Sequence, residues 1–408
     1  MAKLSSFDSF DFNELNNEKL LILGVCSTTG QGDVPDNMLK FWRCVMRRTM
    51  PVGCLAHVEF GLIGLGDSSY DKFNFTAKKL YKRFQQLGAQ PLLDLCLCDE
   101  QNNEGIEGDF SRYMRDIWPL ILMRCPQSNN SSSNADGESI LPLKYRVKFL
   151  DESTPSSRMP TTLDEQQMAS EAMPYKARLL SNRLATHKDH FQMVRFIELD
   201  CNTQRIEYEA GDVLMMRPSN LKNHVSKFYE LFRHLNLDLN QAIRIEANFA
   251  DQLDISSDHL VESIRTVRDL VENYFDLNSV PKVSFFETLH ELSTNELEKE
   301  KLGEFLAPQG IDDLNNYCYR PRRPNIEVFH DFPNTTMSIG SIDQLLDLIP
   351  SMKPRSFSIA SSPFTHKHII QLLVAVVEYK TRLFETRKGT CSYWLSTLNE
   401  KEDVVEIP

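Results

Sequence analysis

Between residue 20 and about residue 125 the chain repeats one arrangement three times. A short unbroken apolar run is followed by a polar, turn-rich loop, and then by a stretch whose apolar residues recur at helical spacing. Residues 20–26 (LLILGVC) read as a strand buried on both faces, and Ser27, Thr28, Thr29 and Gly30 follow at once in STTGQGD. Pro35 and Asp36 then open a helix with Met38, Leu39, Trp42, Val45 and Met46 along one side. The second unit is VEFGLIGLG at 58–66, the turn GDSSY, and a helix turning Ala77, Leu80, Tyr81, Phe84 and Leu87 inward with Gly88 as its cap. The third is PLLDLCLC at 91–98, the loop from Asp99, and a helix from about Asp109. Strands alternating with helices, with each informative loop after a strand, specify a flavodoxin-like doubly wound parallel sheet that binds ligands at the carboxyl ends of its strands. Hydroxyls, glycine amides and an aromatic in those loops suit a flat heteroaromatic ring, although serines in turns also simply make turns.

The character of the chain changes after residue 125. Residues 126–140 are small, polar and without apolar period, as a flexible linker is, and 151–167 reads as a long loop. KYRVKFL, PYKARLLSNRL, FQMVRFIELD and IEYEAGDVLMMRPSN then alternate like the strands of an antiparallel β-barrel. From about 221 to 316 the spacing turns helical (Val225, Phe228, Tyr229, Phe232; Val267, Leu270, Val271, Tyr274), so a helical insertion interrupts the barrel. Strand patterns resume at RSFSIAS (355–361) and IIQLLVAVVEY (369–379).

Within the first of these, Arg355, Ser356, Phe357 and Ser358 put a permanent cation, an aromatic face and hydroxyls on one strand, with Arg355 and Phe357 on the same side. Gly389, Thr390, Cys391 and Ser392 precede the apolar run from Tyr393 and read as a helix start whose free amides can take a pyrophosphate. A cation beside an aromatic, then a turn able to bind phosphate, matches a flavin dinucleotide piece by piece, although alone RSFS is more often just a strand and GTCS just a helix cap.

Composition narrows the alternatives. A net charge of −12 argues against sequence-independent binding to nucleic acid and suits docking to a basic patch on a protein partner, or simply solubility. No run approaches the ~20 apolar residues that span a bilayer, and the acidic amino terminus carries no targeting signal, so the expectation is a cytoplasmic protein with no membrane partner. Nine cysteines without paired CxxC spacing point to reduced thiols and no metal site, and Cys96-Leu97-Cys98 alternates as a strand does.

STTGQGD and GLGDSSYDKFN resemble the second and third FMN-contacting loops of the diflavin reductase family, to which cytochrome P450 reductase belongs. RSFS and GTCS resemble the FAD signatures of its ferredoxin-NADP reductase-like part. The resemblance, strongest to the cytosolic branch serving iron–sulfur assembly, covers nearly the whole chain, including NYCYRPRRPNIEV. It implies a flavodoxin-like FMN module at 1–125, the linker at 126–140, and an FAD-binding module at 141–408 whose helical insertion is the family's connecting domain.

Ser27 to Gly30 would line FMN, as would Leu65, Gly66, Asp67, Ser68 and Ser69, then Tyr70 against the ring, Asp71, Lys72, Phe73 and Asn74. Asp99 or Glu100 would close the site. Thr29 stands where cytochrome P450 reductase has a ring-stacking tyrosine. For FAD the resemblance implies Arg322, the strand from Arg355 to Ser358, and the turn from Gly389 to Ser392. Ser358 would be the catalytic hydroxyl nearest the hydride-accepting atom. NADPH would be the donor, and an iron–sulfur protein resembling anamorsin the acceptor.

By the resemblance the family's first strand and phosphate loop are expected before Met1 and its NADPH-binding module after Pro408. The chain is therefore read as truncated at both ends, with FMN missing or substoichiometric. On that reading a fragment that binds FAD or a partner without NADPH turnover remains the rival to an active enzyme.

Overall fold

The computed structural model describes residues 4–10, 15, 20–102, 105–124, 143–150, 174–201, 208–209, 211–248, 264–383, 385–400 and 403–407. The expected linker at 126–140 and the loop at 151–167 lie outside them. The chain divides into two compact units, one ending at Ile140 and the other containing the described residues from 143 onward.

The first unit is a parallel sheet with helices on both faces. β1 (Leu20–Ser27) pairs with β2 (Val58–Gly66) over its whole length, and β2 pairs on its other side with β3 (Gln90–Pro91) and β4 (Cys96–Asp99). One face buries Phe60 and Leu62 against Phe41 and Val45 of α1 (Leu39–Val45) and Leu80 and Phe84 of α2 (Phe75–Gln86). Each fully buried ring contributes about 1.5–3 kcal/mol. The other face packs Ile63, Cys96 and Cys98 against Tyr113 and Ile117 of α3 (Gly105–Arg124).

Four readings of this unit need correction. β1 is not buried on both faces: Cys26 is enclosed, but Leu23 and Val25 are 38% and 42% exposed, because α3 packs on β4 and β2 and leaves the far face of β1 open. The inward residues of the first helix are Met38, Phe41 and Val45, with Leu39, Trp42 and Met46 only half-buried at its shoulders. Residues 91–98 are not one strand. Pairing slips by two residues between Phe60↔Pro91 and Ile63↔Cys96, and the surplus chain leaves the ladder between β3 and β4. α3 starts at Gly105, whose φ of +58° favours glycine, and not at Asp109.

The second unit has two cores. One is β-rich. β6 (Tyr175–Leu184), β7 (Val194–Asp200), β12 (Ile369–Ala375) and β15 (Val404–Ile407) form an antiparallel sheet in the order β12-β7-β6-β15. β8 (Val213–Met216) and β11 (Arg355–Ser358) form a second. Single bridges, Ile359↔Leu372 and Arg217↔Glu406, join the two sheets at both edges, so the ring closes at isolated points and not through a continuous ladder. α12 (Thr390–Thr397) places Cys391 and Leu395 in this core.

The other core is helical. It is built from α4 (Lys222–Leu231), α5 (Val267–Asp269) with its π-turn Leu270–Tyr274, α6 (Val283–Leu292), α7 (Glu296–Leu306), α8 (Ile311–Leu314), α9 (Asn325–Asp331), α10 (Pro333–Ser338) and α11 (Ile342–Leu348). The helices therefore continue past residue 316 to Leu348, directly before the Arg355 strand. Two further expectations are overturned. β5 (Tyr145–Phe149) is not a barrel strand: it pairs with β9 (Ala242–Ala247), itself paired with β10 (Ile264–Thr266), and Val147 is buried among the helices. The run at 369–379 breaks after Ala375, and β13 (Glu378–Tyr379) pairs with β14 (Arg387–Lys388).

Candidate functional sites

In the first unit the loops after β1, β2 and β4 lie at one end of the sheet and are tied to each other. The Thr76 amide of α2 donates to Thr28 Oγ1 at 3.2 Å, and Thr76 Oγ1 donates to the Asp33 carbonyl at 3.0 Å. Ser68 N donates to Asp99 Oδ1 at 2.8 Å, Glu100 N to the Gly66 carbonyl at 2.9 Å, and Gln101 Nε2 to Asp67 Oδ1 at 2.9 Å. Hydrogen bonds from Ser69 and Ser68 hold the Asp67 and Asp99 carboxyls, respectively, below the usual carboxylate range. These two carboxylates thus join loops.

Asn74 is fully buried at φ +52°, its Nδ2 donating to the Cys98 carbonyl at 3.0 Å. A Cβ on Gly64 or Gly66 would come within 2.8 Å of its Oδ1, so the two β2 glycines make room for that amide. Thr29 folds its hydroxyl onto the Val34 carbonyl at 3.2 Å, while Gly30 takes φ +47° to close the turn. Tyr70 is 69% exposed. An open aromatic beside loop amides fits a flat ring such as that of FMN. Cys96 and Cys98, 3.6 Å apart at sulfur, are buried on β4, and no group of three or more potential metal ligands occurs among the described residues.

In the second unit three segments distant in sequence are brought together. Arg355 and Phe357 share one side of β11, and Phe357 packs on the β-rich core. Ser356 and Ser358 are exposed on the other side. Gly389 stands immediately before α12. A Cβ there would lie 2.8 Å from Val377 Cβ and 2.9 Å from Ser392 Oγ, so the turn is held as tight as glycine permits. Ser392 does not cap the helix. Its Oγ accepts from Val377 N at 3.0 Å, and α12 starts with no side-chain cap on its first amides. Burial pushes the Cys391 thiol up to about 12, which makes it a packing residue and not a nucleophile.

The turn carrying Arg322 is joined to this region through Arg387 of β14. Arg387 makes a two-pronged pair with Glu327, Nη2 to Oε2 at 2.9 Å, and its Nε donates to the Pro321 carbonyl at 3.1 Å. Arg322 itself is exposed at φ +52°. Sequence reasoning missed Asp276–Ser279, which touches the other pieces. The Asp276 carboxylate lies 3.7 Å from Arg355 Nη2, and Asn278 Nδ2 donates to the Lys388 carbonyl at 3.1 Å and to Thr390 Oγ1 at 2.9 Å. A half-exposed guanidinium, an uncapped helix start and a glycine with no room for a Cβ form a cradle that fits a dinucleotide pyrophosphate.

Comparison with known proteins finds a domain of each kind. The flavodoxin family model matches residues 1–113, and the FAD binding domain model matches residues 167–394. NADPH-dependent diflavin oxidoreductase 1 of Bos taurus is 42% identical over 412 residues, covering 100% of this chain and 67% of its own length. The Danio rerio protein of the same name has the same identity and coverage. That of Arabidopsis thaliana is 33% identical over 418 residues, covering 99% and 66%. The chain thus spans about two thirds of these relatives.

Proposed function

Because the chain belongs to the NADPH-dependent diflavin oxidoreductases, an enzyme family with flavodoxin and FAD-binding domains, we propose that it carries electrons originating in NADPH, through bound FAD and FMN, to an iron–sulfur protein resembling anamorsin in the cytoplasm. When bound, the flavins supply the conversion of a hydride into single electrons. The chain's own residues hold and orient them. Arg355 offers a permanent cation and the Gly389–Ser392 turn open amides to the two phosphates, while Phe357 stiffens the strand between them by packing inward. Ser358, exposed at the end of that strand, is the hydroxyl placed to polarise the flavin edge. In the other unit Tyr70 offers a ring face within the stitched loops.

The observation that carries this reading is the meeting of Arg355 and the Gly389–Ser392 turn around one loop, although β12, β13 and β14 all lie between them along the chain. A net charge of −12 supports a basic protein surface as the acceptor's docking face, and among the described residues no helix is long and apolar enough to cross a membrane.

The test is flavin release from purified protein, then stopped-flow mixing of the chemically reduced protein with an iron–sulfur acceptor, with NADPH replacing the chemical reductant in a second arm. One FAD per chain and acceptor reduction faster than by free flavin are expected. Protein without FAD, or reduction no faster than free flavin gives, overturns the proposal. FAD without any response to NADPH favours an FAD-holding role without turnover.

A further inference from the structure

Asp276 is the most deeply buried carboxylate near the flavin cradle, met by the amides of its own turn and by the charge of Arg355. Its side chain is 9% exposed, its Oδ1 has no hydrogen-bond partner, and the nearest cation, Arg355, is 3.7 Å from Oδ2, beyond hydrogen-bond reach. Burial holds its carboxyl above the ordinary range even though the Arg355 charge and the Asn278 and Ser279 amides favour ionisation. A group so placed costs stability when ionised. The loop around it is nevertheless fixed from behind. Asn325 N donates to the Ser279 carbonyl at 2.9 Å, Asn325 Nδ2 to Ser279 Oγ at 2.6 Å, and Leu277 N to Asn220 Oδ1 at 3.3 Å. From this anchored loop Asn278 reaches forward to Lys388 and Thr390, and Asp276 to Arg355.

The two phosphate-binding pieces are thus referenced to one short segment. Arg355 gives its own hydrogen bonds to the carbonyls of Lys353 at 2.6 Å and Pro354 at 3.4 Å, both through Nη1. That leaves Nη2 to be oriented by the carboxylate. With 42% of the Arg355 side chain exposed against 9% for Asp276, the cation keeps an open side and the carboxylate does not.

We propose that Asp276–Ser279 is the positioning loop of the FAD phosphate site: Asn278 sets where the Gly389–Ser392 turn lies, and Asp276 sets where the Arg355 guanidinium lies. The proposal rests on the FAD assignment made above. Neither residue need touch the flavin. Asp276 acts through Arg355 and Asn278 through Thr390, and the loop fixes their separation before any ligand arrives, which is the source of affinity in a preorganised site.

The experiment is a fluorescence titration of flavin-free protein with FAD, for wild type, Asp276→Asn, Arg355→Lys, their double variant and Asn278→Ala, with thermal melts of each flavin-free form. Asp276→Asn should weaken FAD binding about tenfold, the size of coupling between contacting residues, without lowering the melting temperature, because an ionised buried carboxylate is removed. In the Arg355→Lys background the same change should cost less than about threefold. Asn278→Ala, made alone and also combined with Arg355→Lys, should weaken binding about equally in both backgrounds. An equal loss for Asp276→Asn with and without Arg355, tighter binding by that variant, a melting drop that accounts for the loss, or unchanged binding by Asn278→Ala each overturns the positioning role. Wild-type protein that fails to bind FAD overturns the assignment itself, and the loop with it.

Discussion

Replacing Gly389 by alanine adds one methyl group where the structure has no space. At φ −69° the backbone tolerates any residue, so the effect is purely steric. The new Cβ would lie 2.8 Å from Val377 Cβ, about 0.7 Å short of ordinary carbon–carbon separation. Val377 Cβ is bonded directly to Cα, so no side-chain rotation moves it aside. Ser392 Oγ, at 2.9 Å, can rotate away only by giving up the bond it accepts from Val377 N. Overpacking costs about 1–3 kcal/mol, and an amide left without its partner adds about as much. A loss of about 2–6 kcal/mol corresponds to a melting shift of roughly 4–24 °C in a domain of this size. FAD binding should fall in parallel, because the displaced atoms carry the first amides of α12. Differential scanning calorimetry and FAD titration check both. A variant melting within about 1 °C of wild type with undiminished FAD affinity would refute the claim that this turn is limited by space.

Arg355→Ala should weaken FAD binding about tenfold to a hundredfold, as loss of a charge-assisted hydrogen bond does, measured by titrating flavin-free protein; unchanged affinity would make the strand purely structural. Tyr70→Ala should weaken binding of added FMN about two- to tenfold while the melting temperature holds, since an exposed ring contributes little to stability; a large melting drop would contradict its placement. Glu298 accepts four hydrogen bonds from Asn334 and Thr335, which outweigh the effect of burial and hold its carboxyl below the ordinary value. Its folded value is therefore the lower one, and its stabilisation, complete above the unfolded value near about 4.3, is lost as pH falls toward the folded one. Glu298→Gln should destabilise by about 1.5–3 kcal/mol at neutral pH, because an amide donor then faces two donors, and the gap to wild type should close in acid; a pH-independent gap in urea melts would refute this.

What could be read in the sequence was whatever a single short segment encodes. β2 is legible because residues 60–66 run without a polar side chain, and the chemistry of RSFS is legible because cation, ring and hydroxyl fall within four residues. β1 was over-read, since an apolar run does not say how many helices will cover it. The break between β3 and β4 is set by the pairing register with β2, which residues 91–98 do not carry. β5 alternates like a barrel strand, but its partner, β9, lies within the helical part. The loop Asp276–Ser279 looks like any turn with Asp, Asn and Ser in it. Its importance comes from Arg355 and Thr390, which lie far along the chain and reach it only after folding.

The pairing of Met216 with Arg355 has a kinetic consequence. The strand bearing Arg355 finds its partner across the entire helical stretch, and closing a disordered loop of that length would cost roughly 4 kcal/mol in chain entropy before any ladder bond formed. Local helical contacts form sooner than such distant pairings. The helical core is therefore expected to assemble first and draw the ends of the interrupted sheet together, with the Arg355 strand and the Gly389 turn among the last parts of this unit to form. A substitution at Phe286, fully buried in that core and part of no flavin contact described above, would then present as slow or incomplete flavin loading in freshly made protein, and a cofactor defect would be recorded where the fault lay in the order of folding.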